Sequence, residues 1–171
     1  RNFMNKIYDI IPNFLPLNVF EPLYNKVFHE NFPWHYSESV VHPDYNDDYG
    51  IFYNNLYFHY ENKPDLVSEF FHEVAGPIIG RLGFDRFIRI KINNYHRTES
   101  HRIHQFHTDL DEPHKICLYS FNNCNGYTEL QDGTKLESIA NRAVIFDGSI
   151  EHRSVTQTDV HRRINMNVVF V

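Results

Sequence analysis

His107-Thr108-Asp109 puts an imidazole and a carboxylate on one short stretch of chain, and His152 supplies a second imidazole far downstream. Two neutral imidazoles and one carboxylate are the ligand set of a non-haem Fe(II) site; they take three adjacent positions on the metal and leave three open. Arg163 follows His152 at short range and offers a planar, permanently charged fork suited to an acidic co-substrate. A His-x-Asp tripeptide alone is a weak signal, and His42-Pro43-Asp44 is a second copy. That copy stands in a Pro- and Asp-rich run and reads as a turn. His107-Thr108-Asp109 is flanked by β-rich segments that continue to the C-terminus, and it is the copy read as metal-binding.

The elements that must position these residues differ between the two halves. Residues 7–20 read as a short strand and a turn, and Val19, Phe20, Leu23, Tyr24, Val27 and Phe28 have helical spacing over Leu17 to Glu30. Asn31 to Tyr36 and the aromatic run Gly50 to Tyr60 read as extended chain. Leu66, Phe70, Val74, Ile78 and Leu82 recur every four residues, which predicts a second helix over Asp65 to Leu82, kinked or broken at Pro77 and stopped by Gly83.

From Arg86 the period changes to two. Phe87 and Ile88, then Ile90 and Ile92, are interleaved with Arg89, Lys91 and Asn93. Further strands are expected at Ile103 to Thr108, Lys115 to Asn122, Tyr127 to Gln131, Arg142 to Phe146 and Arg162 to Val171, with tight turns at Asn125-Gly126 and Asp132-Gly133. In the last strand Arg163, Asn165 and Asn167 share one parity and Ile164, Met166, Val168 and Phe170 the other, as in a strand with a wet pocket on one side and helices on the other. Helices followed by many short strands predict a mainly β, α+β chain: a cupin-like jelly roll of about eight strands in two sheets, with N-terminal helices packed on one outer face. The expectation is a single domain over residues 1–171, with 1–85 as a helical and strand support region and 86–171 as the jelly-roll core.

The chain has 171 residues, 42% hydrophobic and 16% aromatic, a composition that builds a sizeable core. The formal net charge of −6 argues against bulk nucleic-acid binding, and no apolar run approaches the ~20 residues of a membrane span. No secretory signal stands at the start, and the chain opens on Arg1, as a trimmed chain would. Cys117 and Cys124 are expected as free thiols in a reducing, cytoplasmic compartment.

The stretches Asn125 to Leu130, Asn141 to His152 and Arg162 to Asn167 resemble the iron- and 2-oxoglutarate-dependent oxygenases. Within that superfamily they are most similar to the compact prolyl-hydroxylase-like members of marine bacteria and phages, the resemblance running from about Arg89 to Val171. It implies Fe(II) held by His107, Asp109 and His152, with 2-oxoglutarate as co-substrate and O2 as oxidant. The co-substrate is decarboxylated to succinate and CO2, and a substrate C–H bond is hydroxylated. It also implies that Arg163 clamps the distal carboxylate of 2-oxoglutarate. Asn93 and Tyr95 resemble an Asn-x-Tyr on the strand before His-x-Asp, where such groups hydrogen-bond the co-substrate. In the family a small polar residue, often Ser, stands two places after the Arg; here it is Asn165, which keeps Arg162 as an alternative to Arg163. Relatives often carry a Tyr two residues before the Asn that ends the next strand; here that place is Ser120, with Tyr119 one residue early, so no role carries across.

His101, His104 and His107 lie three apart, a spacing a zinc-binding helix would use, but the surrounding run is polar and reads as a loop near the mouth of the site. His114 and His161 receive no role. Arg97, Arg102 and Arg153 could ring the opening and select an anionic or peptide-like substrate, with Arg153, next to His152, as the substrate-binding candidate. A cupin-like metal enzyme that does not use 2-oxoglutarate and an inactive jelly-roll binding module are the competing readings. Arg163 separates the first from the oxygenase, and the intact ligand triad argues against the second. The substrate, a small molecule or a peptide such as a prolyl peptide, and the oligomeric state stay open.

Overall fold

Strand periodicity in the C-terminal half fixes two faces, and everything else packs on them. The computed structural model describes residues 7–40, 49–84 and 86–171; the His42-Pro43-Asp44 turn lies outside them. In chain order the elements are β1 (Tyr8–Ile11), α1 (Leu17–Phe28), β2 (His35–Ser37), β3 (Ile51–Phe58), β4 (Leu66–Val67), a π-helical turn (Phe71–Ala75), α2 (Gly76–Leu82), β5 (Phe87–His96), β6 (Lys115–Ser120), β7 (Cys124–Leu130), β8 (Lys135–Ser138), β9 (Arg142–Asp147), β10 (His152–Val155) and β11 (Arg162–Phe170).

An eight-stranded sheet runs β1-β9-β6-β11-β5-β3-β2, with β4 added to β3, and a three-stranded sheet runs β10-β7-β8. The N-terminal region therefore supplies strands as well as helices: β1 pairs antiparallel with β9 and β3 with β5. The parity of β11 decides which side meets what. Ile164, Met166, Val168 and Phe170 join Ile90, Ile92, Cys117 and Tyr119 in a core shared with Leu23 and Val27 of α1 and Ile78 of α2. On the other face Ile116, Leu118, Val144 and Phe146 meet Leu130 and Leu136 of the small sheet. The result is the jelly roll with its helices on one outer face. Among the described residues no helix is long and apolar enough to cross a membrane.

Three local expectations are corrected. Residues 65–82 are not one helix, because Leu66 and Val67 take the open edge of β3 opposite Phe58 and Tyr57. Pro77 stands at the start of α2, so the change there is a break between two helical segments and not a kink within one. It has no amide hydrogen for the carbonyl four residues back, and the turn before it widens to a π geometry.

The Ile103 to Thr108 segment is not a strand but touches β-structure only through isolated bridges, Ile103 to Val155 and His107 to His152. Asn125-Gly126 is no hairpin turn either; it lies inside β7 where the register with β8 shifts. A Cβ on Gly126 would stand 3.0 Å from Arg163 Cδ and 3.0 Å from the Gln157 backbone N, so the glycine permits a close approach. Asp132-Gly133 does turn the chain, with Gly133 at φ +87° and the Thr134 amide donating to Asp132 Oδ1 at 2.9 Å. It leads into β8, a strand too short to stand out as a pattern. β10 was likewise not foreseen; its His152 to Val155 carries little alternation.

Candidate metal centre and its cavity

An antiparallel bridge brings the two histidines together. The His107 amide donates to the His152 carbonyl at 3.1 Å and the His152 amide to the His107 carbonyl at 3.0 Å, so the rings lie 4.6 Å apart between centroids. Each Nδ1 sits 3.3 Å from a backbone carbonyl two residues back, Gln105 for His107 and Ile150 for His152. With Nδ1–H donated there, Nε2 carries the free lone pair and faces inward, the tautomer a metal requires. His107 Nε2 is 4.0 Å from Asp109 Oδ1 and His152 Nε2 is 3.7 Å from Asp109 Oδ2. Among the described residues these three form the group whose ligand atoms fall within 4.8 Å of one another.

The electrostatics suit a cation. Burial pushes the His152 imidazole down to about 4, against the opposing pull of Asp109, so it is neutral near pH 7. Burial alone would raise the Asp109 carboxyl, but Arg89, His152 and His107, together with the Asn167 hydrogen bond, hold it well below the usual carboxylate range. Arg89 donates to Asp109 Oδ1 at 2.5 Å and Asn167 Nδ2 to Oδ2 at 3.1 Å, which fixes the carboxylate from two sides.

The triad opens into a cavity of about 650 Å³ between the two sheets. One wall is the inward parity of β5 and β11: Arg89, Lys91, Asn93 and Tyr95, with Asn165 and Asn167. An apolar wall comes from Ile116, Leu118 and Phe146. Asn93 Nδ2 donates to Asn165 Oδ1 at 3.1 Å, while Asn93 Oδ1 is buried and has no donor among the described residues. The Tyr95 hydroxyl accepts from Ser154 Oγ at 2.8 Å.

Arg163 lies behind this wall, opposite Tyr95 across the β5–β11 ladder, and is 0% exposed. Its guanidinium stands 5.1 Å from the Tyr95 ring centre, and it donates to the Val155 carbonyl at 3.3 Å and to Thr128 Oγ1 at 3.1 Å. Its Nε has no acceptor, and among the described residues no carboxylate pairs with it. Arg162 points the other way: it donates to the Phe28 carbonyl at 2.7 Å and stacks on the Phe28 ring, tying β11 to α1.

The remaining candidates fall elsewhere. Arg153 is opposite in parity to His152 and Ser154; both its Nε and NH2 bond Glu129 Oε2 at 2.7 Å, and it stacks on Phe106 from outside the cavity lining. Arg97 and Arg102 do not line the cavity either, and Arg102 stacks on Tyr49. His101 and His104 turn Nδ1 to the Thr156 and Ser154 carbonyls, and His104 is buried rather than at the mouth. Tyr119 faces the helices, where its hydroxyl donates to Asn141 Oδ1 at 2.8 Å, and Ser120 takes the inward parity of β6. Arg89, Lys91, Thr128 and Ser154 were not singled out as site residues from sequence, although Arg89 and Lys91 share the strand parity of Asn93 and Tyr95.

No family model matches the sequence, and no curated protein matches it. Solved structures do. A prolyl hydroxylase from Trichoplax adhaerens, solved with a hypoxia inducible factor peptide fragment, superposes with a TM-score of 0.68 at 14% identity, covering 97% of this chain and 84% of that one. A Pseudomonas putida prolyl-4-hydroxylase gives 0.61 at 12% identity, with 97% and 92% covered. A 2OG-Fe(II) oxygenase family protein from Burkholderia pseudomallei gives 0.63 at 9% identity, with 96% and 85% covered. Over nearly its whole length, then, the chain has the fold of the iron- and 2-oxoglutarate-dependent oxygenases, prolyl hydroxylases among them.

Proposed function

We propose that the whole chain, 1–171, works as one Fe(II)- and 2-oxoglutarate-dependent oxygenase domain. It hydroxylates a C–H bond of a small-molecule or peptide substrate, with peptidyl proline a first compound to assay, and couples this to decarboxylation of 2-oxoglutarate. The observation that carries the reading is the pairing of a His-Asp-His cluster with a fully buried arginine that lacks a carboxylate partner among the described residues. A buried, uncompensated cation is costly unless an anion arrives to match it. An O2-dependent cupin without 2-oxoglutarate has no use for one.

His107, Asp109 and His152 would hold the iron through two imidazole nitrogens and one carboxylate oxygen. The backbone carbonyls of Gln105 and Ile150 keep the histidine Nε2 atoms aimed inward. Arg163 would receive the distal carboxylate of 2-oxoglutarate; its NH1 and NH2 now rest on neutral acceptors that a carboxylate outcompetes. Thr128 and Tyr95 stand beside that position, and Asn93 offers a buried oxygen without a donor. Ile116, Leu118 and Phe146 exclude water along one side. When bound, iron, 2-oxoglutarate and O2 supply the oxidising chemistry, and the protein supplies position. Cys117 and Cys124 are free, which suits a reducing compartment such as the cytoplasm.

Anaerobic titration with Fe(II) and 2-oxoglutarate tests the reading. A weak visible charge-transfer band is expected, with succinate formed on admitting O2. If His152→Ala gives the same band at the same affinity, the ligand assignment is wrong.

A further inference from the structure

We propose that Arg89 and Lys91, neighbours on the inward face of β5, form a second cationic subsite that receives a carboxylate of the substrate to be hydroxylated. The inference rests on the oxygenase reading above and adds the class of substrate: one carrying an acid group close to the carbon that reacts.

Both side chains line the cavity. In the β5–β11 ladder Lys91 lies opposite Asn167 and Arg89 opposite Val169, whereas Arg163 lies opposite Tyr95. At about 3.4 Å per residue, six residues of β11 separate the Arg163 and Arg89 levels by roughly 20 Å of strand. Arg163 lies behind the wall at the level of Tyr95, so a diacid reaching from it to the triad leaves Arg89 and Lys91, further along β5, to another molecule. Asp109, bonded to Arg89 and to Asn167, fixes the triad at the Arg89–Lys91 end.

Charge counting gives the chemistry. Among the described residues Arg89 has one carboxylate partner, Asp109, besides a hydrogen bond with the Tyr60 hydroxyl, and that carboxylate is the one a metal would share. Lys91 has no carboxylate within ion-pair distance among the described residues; its ammonium lies 5.0 Å from the centre of the Tyr53 ring. Asp111 and Glu151 also line the cavity, but neither pairs with Arg89 or Lys91. Two largely enclosed cations therefore share one carboxylate, and a metal ion beside it adds positive charge. An incoming carboxylate restores the balance and can accept from the ammonium and the guanidinium together. A peptide C-terminus, that of a prolyl peptide included, or a free amino or imino acid fits this description; a substrate with no acid group near the reacting carbon does not.

The test uses protein loaded with Zn(II) and 2-oxoglutarate, which binds but does not turn over. Matched probes are titrated by calorimetry: L-proline against L-prolinamide, N-acetyl-L-proline against its amide, and L-leucine against L-leucinamide. In the wild type the acids are expected to bind at least about tenfold tighter than the amides, the scale of one charge-assisted contact. Lys91→Met should cut that preference below about threefold, Lys91→Arg should keep it, and 2-oxoglutarate affinity should change little in either. The proposal is overturned if no acid binds, if acids bind no tighter than amides, or if the preference survives Lys91→Met. It is also overturned if Lys91→Met abolishes 2-oxoglutarate binding instead, since Lys91 would then be the co-substrate clamp. Failure of the wild type to bind 2-oxoglutarate defeats the oxygenase reading alone, because the acid–amide comparison on the Zn(II) protein still decides the subsite.

Discussion

Replacing Arg163 by Met separates a co-substrate clamp from a structural arginine, because the two roles move stability in different directions. The side chain is fully buried, and among the described residues its guanidinium meets only neutral acceptors and the Tyr95 ring. Breaking a buried ion pair costs about 3–5 kcal/mol, whereas an unpaired buried charge carries a desolvation cost that an apolar side chain of similar reach removes. Ligand-free Arg163→Met protein should therefore melt at or above the wild-type temperature. The loss should appear on adding co-substrate. A charge-assisted pair is worth about 1.5–3 kcal/mol, which is roughly ten- to hundredfold in affinity. At a concentration a hundred times the wild-type Kd, 2-oxoglutarate stabilises the wild type by about 2.7 kcal/mol. With affinity down fiftyfold, the same concentration stabilises the variant by only about 0.7 kcal/mol. Thermal melts with Zn(II), with and without 2-oxoglutarate, read both quantities. Arg163→Lys should recover part of the shift, since an ammonium cannot make the parallel two-bond contact. Arg162→Ala should leave it intact, because Arg162 serves the Phe28 carbonyl on the opposite face. An unchanged ligand-induced shift in Arg163→Met, or its loss in Arg162→Ala, would refute the reasoning.

Gly126→Ala sets a methyl group 3.0 Å from Arg163 Cδ and the Gln157 backbone N, so it should cost about 1–3 kcal/mol of stability and weaken 2-oxoglutarate binding; denaturant melts and titration check both. Tyr119→Phe removes the buried hydrogen bond to Asn141 Oδ1 and should lower stability by about 1 kcal/mol with 2-oxoglutarate affinity intact, as a calorimetric titration would show. Burial pushes the Cys117 thiol up to about 12, so it should resist an aromatic disulfide reagent at pH 8 in the native protein and react once denaturant is added. The Cys117→Ser, Cys124→Ser double variant should keep metal binding, since neither thiol lines the cavity.

Where a residue's role depends on strand parity, the sequence was readable. The alternation of Arg163, Asn165 and Asn167 with Ile164, Met166 and Val168 anticipates which face of β11 meets the helices and which the cavity. The His-Asp-His cluster was readable for a different reason, since His-x-Asp with a later His is a pattern of residue types and not of packing. What failed was local geometry decided by distant partners. Leu66 and Val67 share the helical spacing of Phe70 and Val74, yet the free edge of β3 captures them as a strand. Asn125-Gly126 has the composition of a turn, and only the position of Arg163, far along the chain, shows that the glycine leaves room for a side chain. No window of local sequence contains that information.

The same parity rule separates Arg153 from the cavity that His152 lines. Arg153 follows His152 directly, and for that reason a strand gives it the opposite parity; it pairs with Glu129 and stacks on Phe106, which itself lines the cavity, while Arg153 does not. Residues two and four places from an inward group are the ones that share its space. Counting back from Tyr95 and Asn93 by twos reaches Lys91 and then Arg89, the cations that lie beside Asp109 in space though far from the triad histidines in sequence. If Arg89 and Lys91 receive the substrate as proposed, substrate charge preference should follow substitutions on β5 rather than those adjoining His152.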